Sequence, residues 1–242
     1  MTSRMRIFAG PNGSGKSTLS LWLSRDYAVN LYRYINADVL FAEIQQTKKT
    51  SCPFSMETES LVCFAQKSTF PDEQKRFFLS GKIRVIDESV VFEKEAINSY
   101  TVALLADFYR HECLNRGDSF SFETVFSHPS KIDIIKEARQ KGFRTYLYFV
   151  ATDNPGINLS RIASRVLEGG HDVPADKILA RFQRCIDNVA LSLPFLNRAY
   201  FFDNSGTDIR FIAEANEGKW TLFSSTLPNW FVNSIYNTHK QN

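Results

Sequence analysis

The stretch Arg6-Ile7-Phe8-Ala9-Gly10-Pro11-Asn12-Gly13-Ser14-Gly15-Lys16-Ser17-Thr18 decides the reading of this chain. It satisfies G-x-x-x-x-G-K-[ST] in full, with a short apolar run before it and Leu19, Trp22 and Leu23 at helical spacing after it. That context, strand then glycine-rich turn then helix, is that of a phosphate-binding loop. Glycines at 10, 13 and 15 let the backbone fold tightly, so that N–H groups converge on phosphate oxygens at the positive end of the following helix. Asn12, Ser14 and Thr18 complete the cradle. Lys16 is expected to reach the β- and γ-phosphates of ATP or GTP, and the Ser17 hydroxyl to hold Mg²⁺, a hard ion that takes only a ligand or two from protein.

Working outward, composition bounds the kind of nucleotide protein this is. The chain has 242 residues, 43% of them hydrophobic, enough for one sizeable core with a large insertion and tight for two independent domains. Its 29 basic and 26 acidic residues leave a formal charge of only +3, so nucleic acid is not expected as a partner. Cys52, Cys63, Cys113 and Cys185 lack C-x-x-C spacing and the four histidines form no H-E-x-x-H, which predicts reduced, buried thiols and no structural zinc. Met1 leads within a few residues into the first strand, and no apolar run is long enough to span a bilayer, so a cytoplasmic protein is expected.

After the loop helix, which ends near Ser24-Arg25-Asp26, the apolar run Leu31 to Ile35 predicts a second strand with Asp38 at its mouth. In open α/β sheets ligands bind outside the carboxyl ends of strands, so this carboxylate is placed to face a bound triphosphate; it is also placed to cap the helix over Val39 to Ile44. From about residue 45 to 95 the periodicity weakens, as expected of an insertion forming a cap over the substrate side. Within it, Lys82 to Ile86 ending in Asp87-Glu88 has the outline of a Walker B strand, but Arg84 and the polar alternation suit an exposed hairpin with Ser89 to Phe92 better.

A helix over Ala96 to Asn115, stopped by Gly117, leads to a strand over Ser119 to Ser127 that carries Glu123. Glu123 is the preferred metal-side acid, because a carboxylate buried on a central strand is costly without a partner. Lys131 to Lys141 predicts a helix and Phe143 to Ala151 another core strand. Residues 157–182 then read as a lid: a helix bearing Arg161 and Arg165, the hinge Gly169-Gly170, and a second helix with Arg181 and Arg184 beside the stripe Ile178, Phe182, Ile186, Val189, Leu193. Ala199 to Phe202 is a last parallel strand, Asn204 and Ser205 are candidates for base contacts, and a hairpin around Asn216-Glu217-Gly218 follows. The expected fold is a single α/β domain over 1–242: a doubly wound, mostly parallel P-loop sheet with helices on both faces and an inserted cap segment.

The ordered set Ala9 to Thr18, Asn36-Ala37-Asp38, Phe122-Glu123-Thr124 with Ser127, Arg165-Val166, Gly169 to Pro174, Arg181-Phe182 and Phe202 to Gly206 resembles the zeta-toxin-like family of P-loop kinases. The resemblance covers most of the chain outside roughly 45 to 95. It implies an ATP-dependent phosphotransferase acting on a sugar hydroxyl of UDP-N-acetylglucosamine or a related nucleotide sugar. Asp38 would be the base, Glu123 would order the metal or bind substrate with Thr124 and Ser127, and Lys16 and the lid arginines would neutralise the transferring group. Zeta toxins carry a lid arginine near the place where this chain has His171, so the γ-phosphate partner is reassigned to Arg165 or Arg181. An antitoxin that blocks the nucleotide site is implied by the family alone. Two other readings stay open: a kinase of polynucleotide ends, and an ATP-binding regulator with slow hydrolysis in which Asp38 is dispensable.

Overall fold

A computed structural model describes residues 2–167 and 173–239. In chain order the elements are β1 (Arg4–Ala9), α1 (Lys16–Asp26), β2 (Arg33–Ile35), α2 (Ala37–Thr47), β3 (Lys49–Ser51), α3 (Thr58–Lys67), α4 (Asp72–Leu79), β4 (Ile83–Ile86) and β5 (Ser89–Phe92). There follow α5 (Ser99–Arg116), β6 (Phe120–Thr124), α6 (Ser130–Gln140), β7 (Arg144–Ala151), α7 (Pro155–Leu167), α8 (Ala175–Ser192), β8 (Arg198–Asp203), β9 (Arg210–Asn216) and β10 (Lys219–Leu222), then helical turns over residues 229–239. The chain forms two compact units, Met1–Tyr34 with Gly117–Asn242, and Ile35–Arg116.

The first unit is built on a seven-stranded sheet in the order β10-β9-β8-β7-β1-β6-β2. β1 lies parallel between β6 and β7, and β8 is parallel to β7, so the centre is a parallel sheet; β9 and β10 close one side antiparallel. Parallel strands need cover on both faces, which is why β1 and β7 read as apolar runs. Met5, Ile7, Phe8, Ala9, Leu147, Phe149, Val150 and Ala151 are all fully buried. On one face α1 lays Leu19 and Leu23 on Phe8, Tyr148, Val150 and Phe202. On the other, Phe149 meets Trp230 at 5.4 Å and Phe201 meets Phe231 at 5.2 Å between ring centres. The alternation of side chains along a strand puts Tyr148 and Phe149 on these opposite faces.

The second unit holds a small antiparallel sheet, β3-β5-β4, with α2 to α5. β4 and β5 pair from Ile83↔Phe92 to Ile86↔Ser89, and Asp87 and Glu88 form the two-residue turn with φ of 46° and 57°. Both values positive define the turn whose twist suits a hairpin. The acidic pair therefore belongs to a turn and not to a Walker B strand end. The apolar side of α5 is buried through Val102, Leu105, Phe108 and Cys113, and Asn98 caps its start by accepting from the Tyr100 and Thr101 amides, both at 3.0 Å.

Local differences from expectation have simple causes. The second strand begins at Arg33, because Tyr32 takes φ of 53° and cannot be extended. All four cysteines are free, as expected, but only Cys113 and Cys185 are buried; Cys63 is exposed on α3 and Cys52 half-buried. Among the described residues, no helix is long and apolar enough to cross a membrane.

Candidate nucleotide-binding site

The loop from Gly10 to Gly15 leaves the end of β1 and enters α1 through Gly15, which sits at φ 95°, ψ 28°. No side chain caps that helix start. An uncapped helix start, where the dipole favours negative charge, is a place suited to an anion. Two glycines are required sterically as well as conformationally. A Cβ on Gly13 (φ 77°) would lie 2.7 Å from the Asn158 carbonyl oxygen, and one on Gly15 would lie 2.5 Å from Asn204 Nδ2. Within the loop, buried Ser14 Oγ and Asn12 Oδ1 have no hydrogen-bond partner, in keeping with a cradle built to receive polar groups.

Two asparagines hold the loop from outside. Asn158, fully buried on α7, donates to the Asn12 carbonyl at 2.6 Å, and its own Oδ1 is fixed by the Thr152 hydroxyl. Asn204, at the end of β8, donates from Nδ2 to the Ser14 carbonyl at 2.9 Å. The Asn204 side chain thus supports the phosphate loop from outside. Ser205 donates to Asp203 Oδ1 at 2.6 Å and accepts from the Asp153 amide at 2.8 Å, so it too shapes the loop after β8. Arg161, expected beside the nucleotide, donates to the Asn204 carbonyl at 2.8 Å and to the Gly206 carbonyl at 3.0 Å. Two of its five N–H donors are thus fixed on backbone.

The acid side is supplied by β6. Because β6 runs parallel to β1 with Phe8 opposite Glu123 and Ala9 opposite Thr124, Glu123 emerges beside the start of the loop. Its Oε2 accepts from Ser17 Oγ at 2.9 Å, and its Oε1 accepts from the Tyr34 hydroxyl. Ser20 Oγ lies 3.1 Å from the same Oε1 and 3.1 Å from Tyr34 Oη, and 3.0 Å from the Ser17 carbonyl. Ser17 and Glu123 were both expected on the metal side and the structure brings them together. Hydroxyl and carboxylate are the hard oxygen donors Mg²⁺ prefers, and one or two suffice because the ion keeps waters and takes phosphate oxygens. The donor set fits the ion. Among the described residues no cluster of three or more His, Cys, Asp or Glu could hold a metal by itself.

Lys16 Nζ donates to the Pro11 carbonyl at 3.1 Å, arching over the loop. Burial pushes the thiol of Cys185 on α8 up, while the Lys16 charge pulls it the other way. Arg181 is one turn before Cys185 on the same face of α8 and is half-exposed. Arg165 is exposed in the last turn of α7, and Arg184 donates from Nε to the Ala180 carbonyl at 2.8 Å. The hinge residues Gly169, Gly170 and His171 lie outside the described residues. Thr124 Oγ1 accepts from the Phe126 amide at 3.1 Å and so shapes the turn after β6, where Ser127 is half-exposed.

Asp38 belongs to the second unit. It is exposed in the first turn of α2, and the cap there is Asn36, whose Oδ1 accepts from the Asp38 amide at 2.9 Å and the Val39 amide at 3.3 Å. The capping role considered for Asp38 is thus filled by Asn36, leaving the Asp38 carboxylate in solvent.

A phosphate loop at the end of a central parallel strand, with an acid from the adjacent strand on its serine, defines a P-loop, kinase-like α/β fold. Comparison with known proteins agrees. No family model matches the chain. A protein of Haemophilus influenzae described as uncharacterized is 32% identical over 72 residues, 30% of this chain and 51% of that protein. The chain is structurally similar to a chain of the AvrRxo1-ORF1:AvrRxo1-ORF2 complex solved with sulphate ions (TM-score 0.54, 14% identity, 91% of this chain and 61% of that chain). The same complex solved with ATP gives a TM-score of 0.54, 15% identity, and coverage of 91% and 60%. The chain therefore spans about half of its curated relative and about three-fifths of these structures, and the likeness is one of fold. A chain from the PezAT chromosomal toxin-antitoxin system of Streptococcus pneumoniae scores 0.49 at 13% identity, with coverage of 84% and 68%.

Proposed function

We propose that this chain is an ATP-dependent phosphotransferase of the zeta-toxin-like type, moving the γ-phosphoryl group to a hydroxyl of a nucleotide sugar such as UDP-N-acetylglucosamine. The observation that carries the reading is the contact of Ser17 with Glu123 beside the uncapped start of α1, a metal-nucleotide seat with the right donors. The structural likeness to a complex solved with ATP supports nucleotide use. The choice of acceptor rests on the family resemblance.

Mg²⁺ would be held by Ser17 with Glu123 beside it, and would supply charge neutralisation at the phosphates. The chain's own residues do the rest. The amides of the loop and of the α1 start bind the β- and γ-phosphates, and Lys16 is in position to leave the Pro11 carbonyl for a phosphate oxygen. Arg165 and Arg181 neutralise charge on the transferring group. Asp38 takes the acceptor proton while the acceptor oxygen forms its bond to the γ-phosphorus and the bond from that phosphorus to the bridging oxygen breaks, releasing ADP. Positioning and electrostatics account for most of such a reaction, so little further machinery is needed.

A protein partner acting as antitoxin is part of the same reading, since the AvrRxo1 structures are of a two-component complex. Cytoplasmic residence also belongs to it, with free thiols in keeping. Purified protein incubated with ATP, Mg²⁺ and a panel of UDP-sugars, read by mass spectrometry with Asp38→Ala alongside, tests the proposal. A product heavier by one phosphoryl group, absent from the variant, is the expected result. ATP binding without a gain in mass on any UDP-sugar would remove the acceptor class, and unchanged turnover in Asp38→Ala would remove the base.

A further inference from the structure

Glu123 is held unevenly. One oxygen, Oε1, is approached by two hydroxyls that belong to the scaffold, Tyr34 in the middle of β2 and Ser20 on the buried side of α1. The other, Oε2, has the loop hydroxyl of Ser17 at 2.9 Å. The two anchors are themselves rigid. Ser20 is 1% exposed, and the ring of Tyr34 packs edge-on to Phe8, with centres 6.5 Å apart, against the cluster that seats α1 on the sheet. Ser20 Oγ is also 3.1 Å from Tyr34 Oη, and because Tyr34 donates to Glu123, the single Ser20 proton serves either Oε1 directly or the tyrosine oxygen behind it.

We infer that Tyr34, seconded by Ser20, is the positioning residue of the metal seat: it pins Glu123 by Oε1 so that Oε2 alone is exchangeable between the Ser17 hydroxyl and a divalent cation or its water. This deepens the proposed reading, because it rests on Ser17 and Glu123 being the metal side. A glutamate has a three-bond reach and costs rotamer entropy to hold in one place. With Oε1 held by the Tyr34–Ser20 hydroxyl pair, that entropy is already lost in the folded protein and need not be lost when the ion arrives, which is preorganisation by residues that do not themselves touch the ion. Aspartate or glutamate at the end of a strand is readable in a sequence. The tyrosine and serine that aim it come from a separate strand and from the next turn of the loop helix, and their hydroxyls meet only in the fold.

The test is metal binding, measured without any acceptor. Manganese(II), which reports its free concentration by electron paramagnetic resonance, is titrated into the full chain saturated with a non-hydrolysable ATP analogue. Tyr34→Phe keeps the ring and removes the hydroxyl. It should raise the half-saturating manganese concentration roughly 10- to 100-fold, the range for loss of an outer-sphere partner. Nucleotide affinity measured calorimetrically in EDTA should stay at the wild-type value, which a merely structural defect would not allow. Placed in a Glu123→Gln background, Tyr34→Phe should add nothing further. Ser20→Ala should shift the manganese curve in the same direction and stands in if Tyr34→Phe misfolds. An unchanged half-saturation in either folded variant overturns the inference, as does an equal loss of affinity in EDTA, and so does a wild-type protein that binds no manganese. A negative mass-spectrometric screen of acceptors leaves these readouts untouched, so failure of the acceptor assignment and failure of this inference are distinguishable.

Discussion

The contact between Gly15 and Asn204 offers a stringent check of how the phosphate loop is held. Replacing Gly15 by alanine puts a Cβ 2.5 Å from Asn204 Nδ2, with the next nearest atom, Asn204 Cγ, at 3.7 Å. The clash is therefore with one side chain, and that side chain must swing away, breaking its bond to the Ser14 carbonyl. Two costs add: about 1–2 kcal/mol for a non-glycine residue at φ 95°, and about 1–3 kcal/mol for the buried carbonyl left without its donor. Gly15→Ala should thus weaken the loop by about 2–5 kcal/mol. Asn204→Ala loses only the bond, about 1–3 kcal/mol. In the double variant there is no side chain to expel and the bond can be lost only once, so the total should fall short of the sum by about the bond itself, about 1–3 kcal/mol. ATP affinity by calorimetry and urea unfolding of the four proteins measure this cycle. At about 1.4 kcal/mol per decade, the shortfall reads as roughly a 5- to 150-fold discrepancy from additivity. Strict additivity would refute the idea that the Asn204 amide supports the loop.

Other expectations follow from the same geometry. Lys16→Ala should weaken ATP binding itself, seen as a raised calorimetric Kd, whereas Asp38→Ala should leave that Kd unchanged and lower transfer by roughly 10²- to 10⁴-fold in a single-turnover assay. Leu19 is fully buried between α1 and the sheet, so Leu19→Ala should cost about 2–5 kcal/mol in urea unfolding. Burial pushes the thiol of Cys185 and the phenol of Tyr109 up, so both stay neutral in the folded protein at alkaline pH while they ionise in the unfolded chain. The stability they contribute is complete below the unfolded pKa values, about 8.5 for a thiol and about 10 for a phenol, and is lost as pH rises beyond them. The urea midpoint should therefore fall from about pH 8.5 upward, and Cys185→Ala should flatten the first part of that fall.

What the sequence made legible and what it hid divide along a physical line. The phosphate loop is a local code, since glycine conformation, lysine and serine act within one turn and need no distant partner to be recognised. Strands β1, β7 and β8 were equally plain, because burial on both faces writes an unbroken apolar run. Glu123 could be preferred to Asp87 from sequence because a charge on a buried strand needs a partner, and Arg84 marked the other strand as solvated. The loop-supporting roles of Asn158 and Asn204, and the contacts of Ser20 and Tyr34 with Glu123, leave no mark in the sequence because a neutral amide or hydroxyl has no pattern of its own. Asn204 donates to a carbonyl 190 residues away in sequence. The signal available for it is its place directly after a core strand, a position that does not tell which neighbouring loop it supports.

The topology also explains why a large second unit is compatible with so exact a contact as Ser17 to Glu123. The chain leaves the first unit after Tyr34 and returns at Gly117, three residues before β6 begins. Between those points it folds on its own small sheet and the long α5, so it does not depend on the large sheet for its ladder bonds. Closing a longer loop costs only about 0.6 kcal/mol for each doubling of length, so the inserted unit adds little entropic load to the pairing of β6 with β1. That pairing is in turn what fixes Glu123 opposite Phe8 and hence next to the loop. The Ser17–Glu123 contact is thereby determined by strand register inside one unit, while Asp38 is built on the other.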